Sequence, residues 1–129
     1  MPTKKRILCI SYDESLLTKR RVLLEEAGFF VTSPYGLAEA SRICRLDHAF
    51  DLIVMGHSIP RDDKIALIEL LRASCKASVL SIRKQNDPPL RQAEFSIDSS
   101  NEPEMLVVAV KLALGIETPK PASSASASS

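Results

Sequence analysis

The residues best placed to do chemistry lie in one run, DLIVMGHSIP at positions 51–60. An acid opens it, four apolar residues follow, and Gly56 breaks it before a polar loop leads to Ile59 and Pro60. A short apolar run bounded by turn residues reads as a strand buried on both faces, the kind found at the centre of a parallel sheet. In such sheets chemistry gathers just past the carboxyl ends of the strands, which puts Gly56 and His57 at the reactive position. Gly56 has no side chain to offer. His57 could accept a phosphoryl group or hold a ligand; a solvated loop histidine is the preferred reading. No GxGxxG or P-loop pattern follows any strand, so nothing here cradles a nucleotide. Cys9, Cys44 and Cys75 are odd in number and scattered, which argues against a disulfide framework and against a zinc site. Buried inert thiols are preferred over the alternative, a thiol redox sensor.

The elements that must position these residues alternate along the chain. Residues 6–11 read as a first buried strand. Asp13 caps a helix with Leu16, Leu17, Leu23, Leu24 and Ala27 on one face and Lys19, Arg20, Arg21, Glu25 and Glu26 on the other. Gly28 stops it. A second strand spans 29–33 and a turn 34–36. The helix at 37–46 turns Ala40, Ile43 and Cys44 inward and ends near Asp47 and His48. After the run 51–60, Asp62 or Asp63 starts a third helix with Ile65, Ile68, Leu71 and Cys75 at helical spacing. A fourth strand spans 77–82. The charged, turn-rich stretch after it leaves room for barely a turn or two of helix at 89–92. The fifth strand is 94–98. Pro103 suits the first position of a last helix, whose stripe is Leu106, Ala109, Val110, Ala113 and Leu114, with Gly115 as its stop. Five strands alternating with five helical segments imply a three-layer α/β fold with a parallel sheet.

Composition narrows the function. The 129 residues, 45% hydrophobic and 26% charged, suit one soluble domain, placed at residues 4–116. The Pro/Ala/Ser-rich tail at 117–129 is expected to be disordered and dispensable. Seventeen basic against 16 acidic residues give a net charge of +1, too weak a field to draw nucleic acid or a membrane. The basic clusters Lys4, Lys5, Arg6 and Lys19, Arg20, Arg21 carry no interleaved aromatics and read as a solvated face. The apolar run from Ile7 to Ile10 is too short for a signal peptide, and no span long enough for a membrane appears. The expected location is cytoplasmic, with no cofactor.

Together the first strand, the Leu23-Leu24 to Gly28-Phe29-Phe30-Val31 transition, Gly36 opening the second helix and the run 51–60 resemble a bacterial response regulator receiver domain. Asp63, Leu67, Leu71 and Arg72 extend the match. The resemblance covers residues 5–115 and implies a flavodoxin-like (βα)5 fold with a five-stranded parallel sheet and a shortened fourth helix. It also implies a chemistry that this sequence lacks. Receivers phosphorylate an aspartate at the end of the third strand, where this chain has Gly56. They hold Mg²⁺ with two acids after the first strand, where it has Ser11 and Tyr12. Asp13 stands one place too late. The Ser/Thr that ends the fourth strand falls on Ile82, one residue after Ser81. The lysine that precedes a proline after the fifth strand falls on Ser99 and Ser100. Without a carboxylate nucleophile, oxygen ligands for a hard cation and a clamping lysine, that reaction has no parts.

The reading is therefore a degenerate receiver, a non-catalytic signalling module that works by protein contact. With no output domain in the sequence, it is expected to act in trans. Its expected partner is a histidine kinase, another receiver or an output protein, or a second copy of itself. The alternative is an anion-binding or unconventionally phosphorylated switch using His57 or the serines Ser11, Ser58, Ser81 and Ser99. In that reading's absence the serines fill space left by lost charges, and Tyr12 plugs the former acidic pocket. The short interval before the fifth strand leaves Phe95 and Ile97 on a poorly covered edge. That edge, flanked by Arg83, Lys84 and Arg91, is the expected interaction surface, unless the loop at 86–92 folds over and protects it.

Overall fold

A computed structural model describes residues 4–47, 49–73 and 76–116. Five strands, β1 (Arg6–Ile10), β2 (Phe30–Thr32), β3 (Leu52–Met55), β4 (Ser78–Arg83) and β5 (Phe95–Asp98), form one parallel sheet in the order β2-β1-β3-β4-β5. Four helices accompany it: α1 (Glu14–Glu26), α2 (Leu37–Leu46), α3 (Arg61–Arg72) and α4 (Leu106–Ala113). This is the flavodoxin-like arrangement, with its switch point between β1 and β3.

β3 lies in the middle because all four of its side chains are apolar and can be buried on both faces. Alternation along the strands divides the core into two. Ile53 and Met55, with Leu8, Ile10 and Val79, face Ala40 and Cys44 of α2 and Leu67, Ile68 and Leu71 of α3. Leu52 and Val54, with Ile7, Cys9, Leu80 and Ile82, face Leu17 and Leu24 of α1 and Leu106 and Val110 of α4. Asp51 sets the register: its carboxylate accepts from the Arg6 amide at 2.8 Å, and its own amide donates to the Arg6 carbonyl at 2.8 Å. The Asp13 carboxylate caps α1 by accepting from the Leu16 amide, as its position suggested.

Several boundaries differ from expectation. α3 starts at Arg61 rather than at Asp62 or Asp63. α4 starts at Leu106 rather than at Pro103, the intervening residues forming turns. The shortened fourth helix is not a helix at all, since residues 84–94 carry only turns. Pro88 and Pro89 remove two backbone donors there. Leu90 does the burying instead, entering the core between the sheet and α3. Arg72 anchors the same loop by donating to the carbonyls of Ala77 and Gln92 and to the Glu94 carboxylate. Cys75, His48 and the 117–129 tail lie outside the described residues.

Candidate functional site

The loops after β1, β3 and β5 converge at the carboxyl end of the sheet on Gly56, which is buried. What stands beside it is a guanidinium. A Cβ built on Gly56 would lie 2.5 Å from Arg20 Nη1 and 3.4 Å from the Ile10 carbonyl oxygen. Arg20 was expected on the solvated face of α1, but it is 2% exposed. Its position explains the burial: it lies three residues after Leu17 and four before Leu24, on the inward stripe.

Glu102 holds Arg20 in place. Its carboxylate accepts from Nε and Nη2 at 2.8 Å each, a two-pronged pair with side chains 3% and 12% exposed. The same Nη2 lies 3.3 Å from His57 Nδ1. A guanidinium only donates, so Nδ1 is the acceptor and the proton of the neutral ring sits on Nε2. Partial burial, then the Arg20 charge, lower the His57 pKa, so the ring is neutral near pH 7. His57 is thus a half-buried, bonded side chain and not a solvated one. Arg20 Nη1 has no hydrogen-bond partner among the described residues.

A second buried cation lies next to this pair. Lys64 Nζ donates to Ser81 Oγ and to the Ile82 carbonyl, both at 2.9 Å. Burial lowers its pKa to about 8, Asp87 opposing and Arg20 and Arg61 reinforcing the shift. Like Arg20, it occupies the buried stripe of its helix, with Leu67, Ile68 and Leu71 following at helical spacing.

The remaining candidates are distributed around these two groups. Ser11 and Ser58 pair at 3.1 Å and spend their hydroxyls on nearby backbone, Ser58 accepting from the Tyr12 amide. Tyr12 donates to Asp63 at 2.8 Å, and its burial, with that bond, raises its pKa. Ser81 belongs to Lys64, and Ile82 contributes its carbonyl while its side chain is buried. Ser99 starts a short 3-10 turn, Ser99–Asn101, beside an apolar cavity of about 260 Å³ that Leu16, Leu23 and Pro103 also line. The four serines therefore do not converge on one point. The residue that precedes the proline and reaches the site is Glu102. Cys9 and Cys44 are buried, and burial pushes the Cys9 thiol up to about 12, so it is not poised to react.

Comparison with solved structures bears on the fold. A receiver domain of a Francisella response regulator superposes with a TM-score of 0.74 at 18% identity, covering 87% of this chain and 98% of that one. A response regulator receiver protein from Burkholderia phymatum gives 0.75 at 18%, covering 91% and 100%. A two-component response regulator from Clostridium difficile gives 0.74 at 21%, covering 87% and 97%.

The chain has the receiver fold. No protein-family model matches the sequence, and no curated protein does. At the end of the third strand, the charge that stands against Gly56 is Arg20, held there by Glu102. Sequence reasoning passed over both of them, and over Lys64. The signal for the two cations was their place on an otherwise apolar helical stripe; Glu102 gave none beyond preceding Pro103.

Proposed function

We propose that the protein is a non-catalytic signalling module of the receiver type, acting by protein–protein contact without aspartyl phosphorylation. The observation that carries this reading is the Arg20 guanidinium lying against Gly56, where a phosphorylated carboxylate would have to project. The donor set does not fit a hard dication either. A guanidinium stands in the space, Ser11 and Tyr12 offer hydroxyls, and Asp63 is engaged by Tyr12. Among the described residues, no group of three or more His, Cys, Asp or Glu side chains could hold a metal ion. Incubation with acetyl phosphate and Mg²⁺ should leave the intact mass unchanged, and beryllofluoride should not shift the melting temperature. An adduct mapped to an aspartate would overturn the proposal; one on His57 or a serine would transfer it to the unconventional switch.

The folded module is taken as residues 4–116, with 117–129 as a tail and the cytoplasm as its location. Among the described residues, no helix is long and apolar enough to cross a membrane. The partner is a histidine kinase, a receiver, an output protein or a second copy, and the docking face is the β5 side of the sheet. Phe95 is exposed there, Ile97 is half-buried, and Lys84 and Arg91 are exposed nearby. α4 and its capping residue add Met105, Val108 and Leu112, exposed at helical spacing. Arg83 belongs to the framework of this face, because its guanidinium donates to Ser96 Oγ and to the Asp87 carbonyl. Lys84→Glu with Arg91→Glu should weaken partner capture in pull-downs while shifting the melting temperature by less than about 2 °C. Capture that survives these changes and fails instead on Lys19→Glu with Arg21→Glu would move the surface to α1.

A further inference from the structure

We infer that the cavity at the carboxyl end of β4 is a binding site for a small oxyanion of the phosphate class. The cavity holds about 120 Å³ and is lined by His57, Arg61, Lys64, Ser81, Arg83 and Asp87 together with three apolar residues. Three of these carry positive charge and one carries negative charge. Its size is well below the roughly 300 Å³ at which pockets begin to hold drug-sized ligands, so a nucleotide does not fit and a tetrahedral ion does.

The donors are already arranged. An ammonium has three N–H groups, and Lys64 spends two on Ser81 Oγ and the Ile82 carbonyl, leaving one at the cavity. Two contacts fix the Arg83 guanidinium, to Ser96 Oγ and the Asp87 carbonyl, so a ligand need not order it. Arg61, at the start of α3, is exposed and forms no hydrogen bond or ion pair with a described residue. No described carboxylate lies within ion-pair distance of Lys64. Asp87 lines the same cavity and attracts Lys64 only from beyond that distance, so a bound oxyanion would supply the close counter-charge that this buried cation lacks. The turns at 84–94 form one wall of the cavity through Asp87, Pro88 and Leu90. Phosphate and a small phosphomonoester offer the same three oxygens. The inference stands apart from the reading above, because Arg20 is not among the cavity's cations.

The test is a ¹⁵N NMR titration of the full chain with inorganic phosphate at pH 7, with sodium chloride and sodium acetate at matched ionic strength as controls and phenyl phosphate as a second probe. Saturable shifts centred on Lys64, Ser81 and residues 56–59 are expected, with Kd on the order of millimolar. Phenyl phosphate matching inorganic phosphate would assign the site to phosphomonoesters, and its exclusion would assign it to the free ion. Lys64→Met should abolish saturation. Should that variant fail to fold, Arg61→Gln, at an exposed position, should weaken binding roughly fivefold, the effect of one solvent-facing charge. Shifts that stay linear, that centre on Lys4 and Lys5, or that survive Arg61→Gln unchanged would overturn the assignment. Equal binding of acetate would overturn the phosphate class.

Discussion

Arg20→Met is expected to lower the unfolding free energy by about 3 kcal/mol, or the melting temperature by roughly 10 °C. The substitution removes a guanidinium that is 2% exposed and leaves the Glu102 carboxylate, with a side chain 12% exposed, without its two donors. An uncompensated charge in that setting costs more than the pair contributed, because desolvation has already been incurred and only the attraction is lost. The double variant Arg20→Met with Glu102→Met should recover most of the loss, since it removes both charges. Urea denaturation of the two single variants and the double variant would measure the coupling. Additive losses would mean that the pair is not the source of the effect.

Gly56→Ala is expected to cost about 2 kcal/mol although it adds only one methyl group. The new Cβ would sit 2.5 Å from Arg20 Nη1, and the guanidinium cannot retreat without leaving Glu102. The penalty should shrink when Arg20 is already methionine, because the obstacle is then gone. Gly56→Asp is expected to destabilise the fold further and to gain no phosphoryl group from acetyl phosphate with Mg²⁺. Uptake by that variant would mean that one carboxylate suffices and that Arg20 is not the barrier. A Gly56→Ala variant as stable as the parent would sink the account of why glycine stands there.

The parallel sheet could be read from residues because burial on both faces leaves an unambiguous pattern, whereas its strand order came only with the flavodoxin-like fold that the receiver resemblance implies. Leu52, Ile53, Val54 and Met55 have nowhere else to go, and Gly28 and Gly115 end their helices with φ of 99° and 72°. The site was less legible for a physical reason. Lysine and arginine are normally solvated, so Arg20 was placed on the surface and Lys64 drew no reading despite their spacing, and only the tertiary fold brings Glu102, 82 residues away, to Arg20. The loop at 84–94 failed differently: two prolines and a run of polar residues pointed to little helix, but not to Leu90 as the residue that would seal the core there.

The two rims of the sheet differ in how easily another chain could extend them. β2 has only three residues, Phe30 at its start is 64% exposed, and Lys4 Nζ stands 5.9 Å from that ring. A neighbour adding itself there would gain few backbone bonds and would meet the charges of Lys4 and Lys5, a common protection against runaway strand pairing. Fibrillar growth needs two open rims, and this one is blunted, so stacking would stop after a single addition at the β5 rim. Concentrated solutions should therefore accumulate closed pairs rather than extended ribbons.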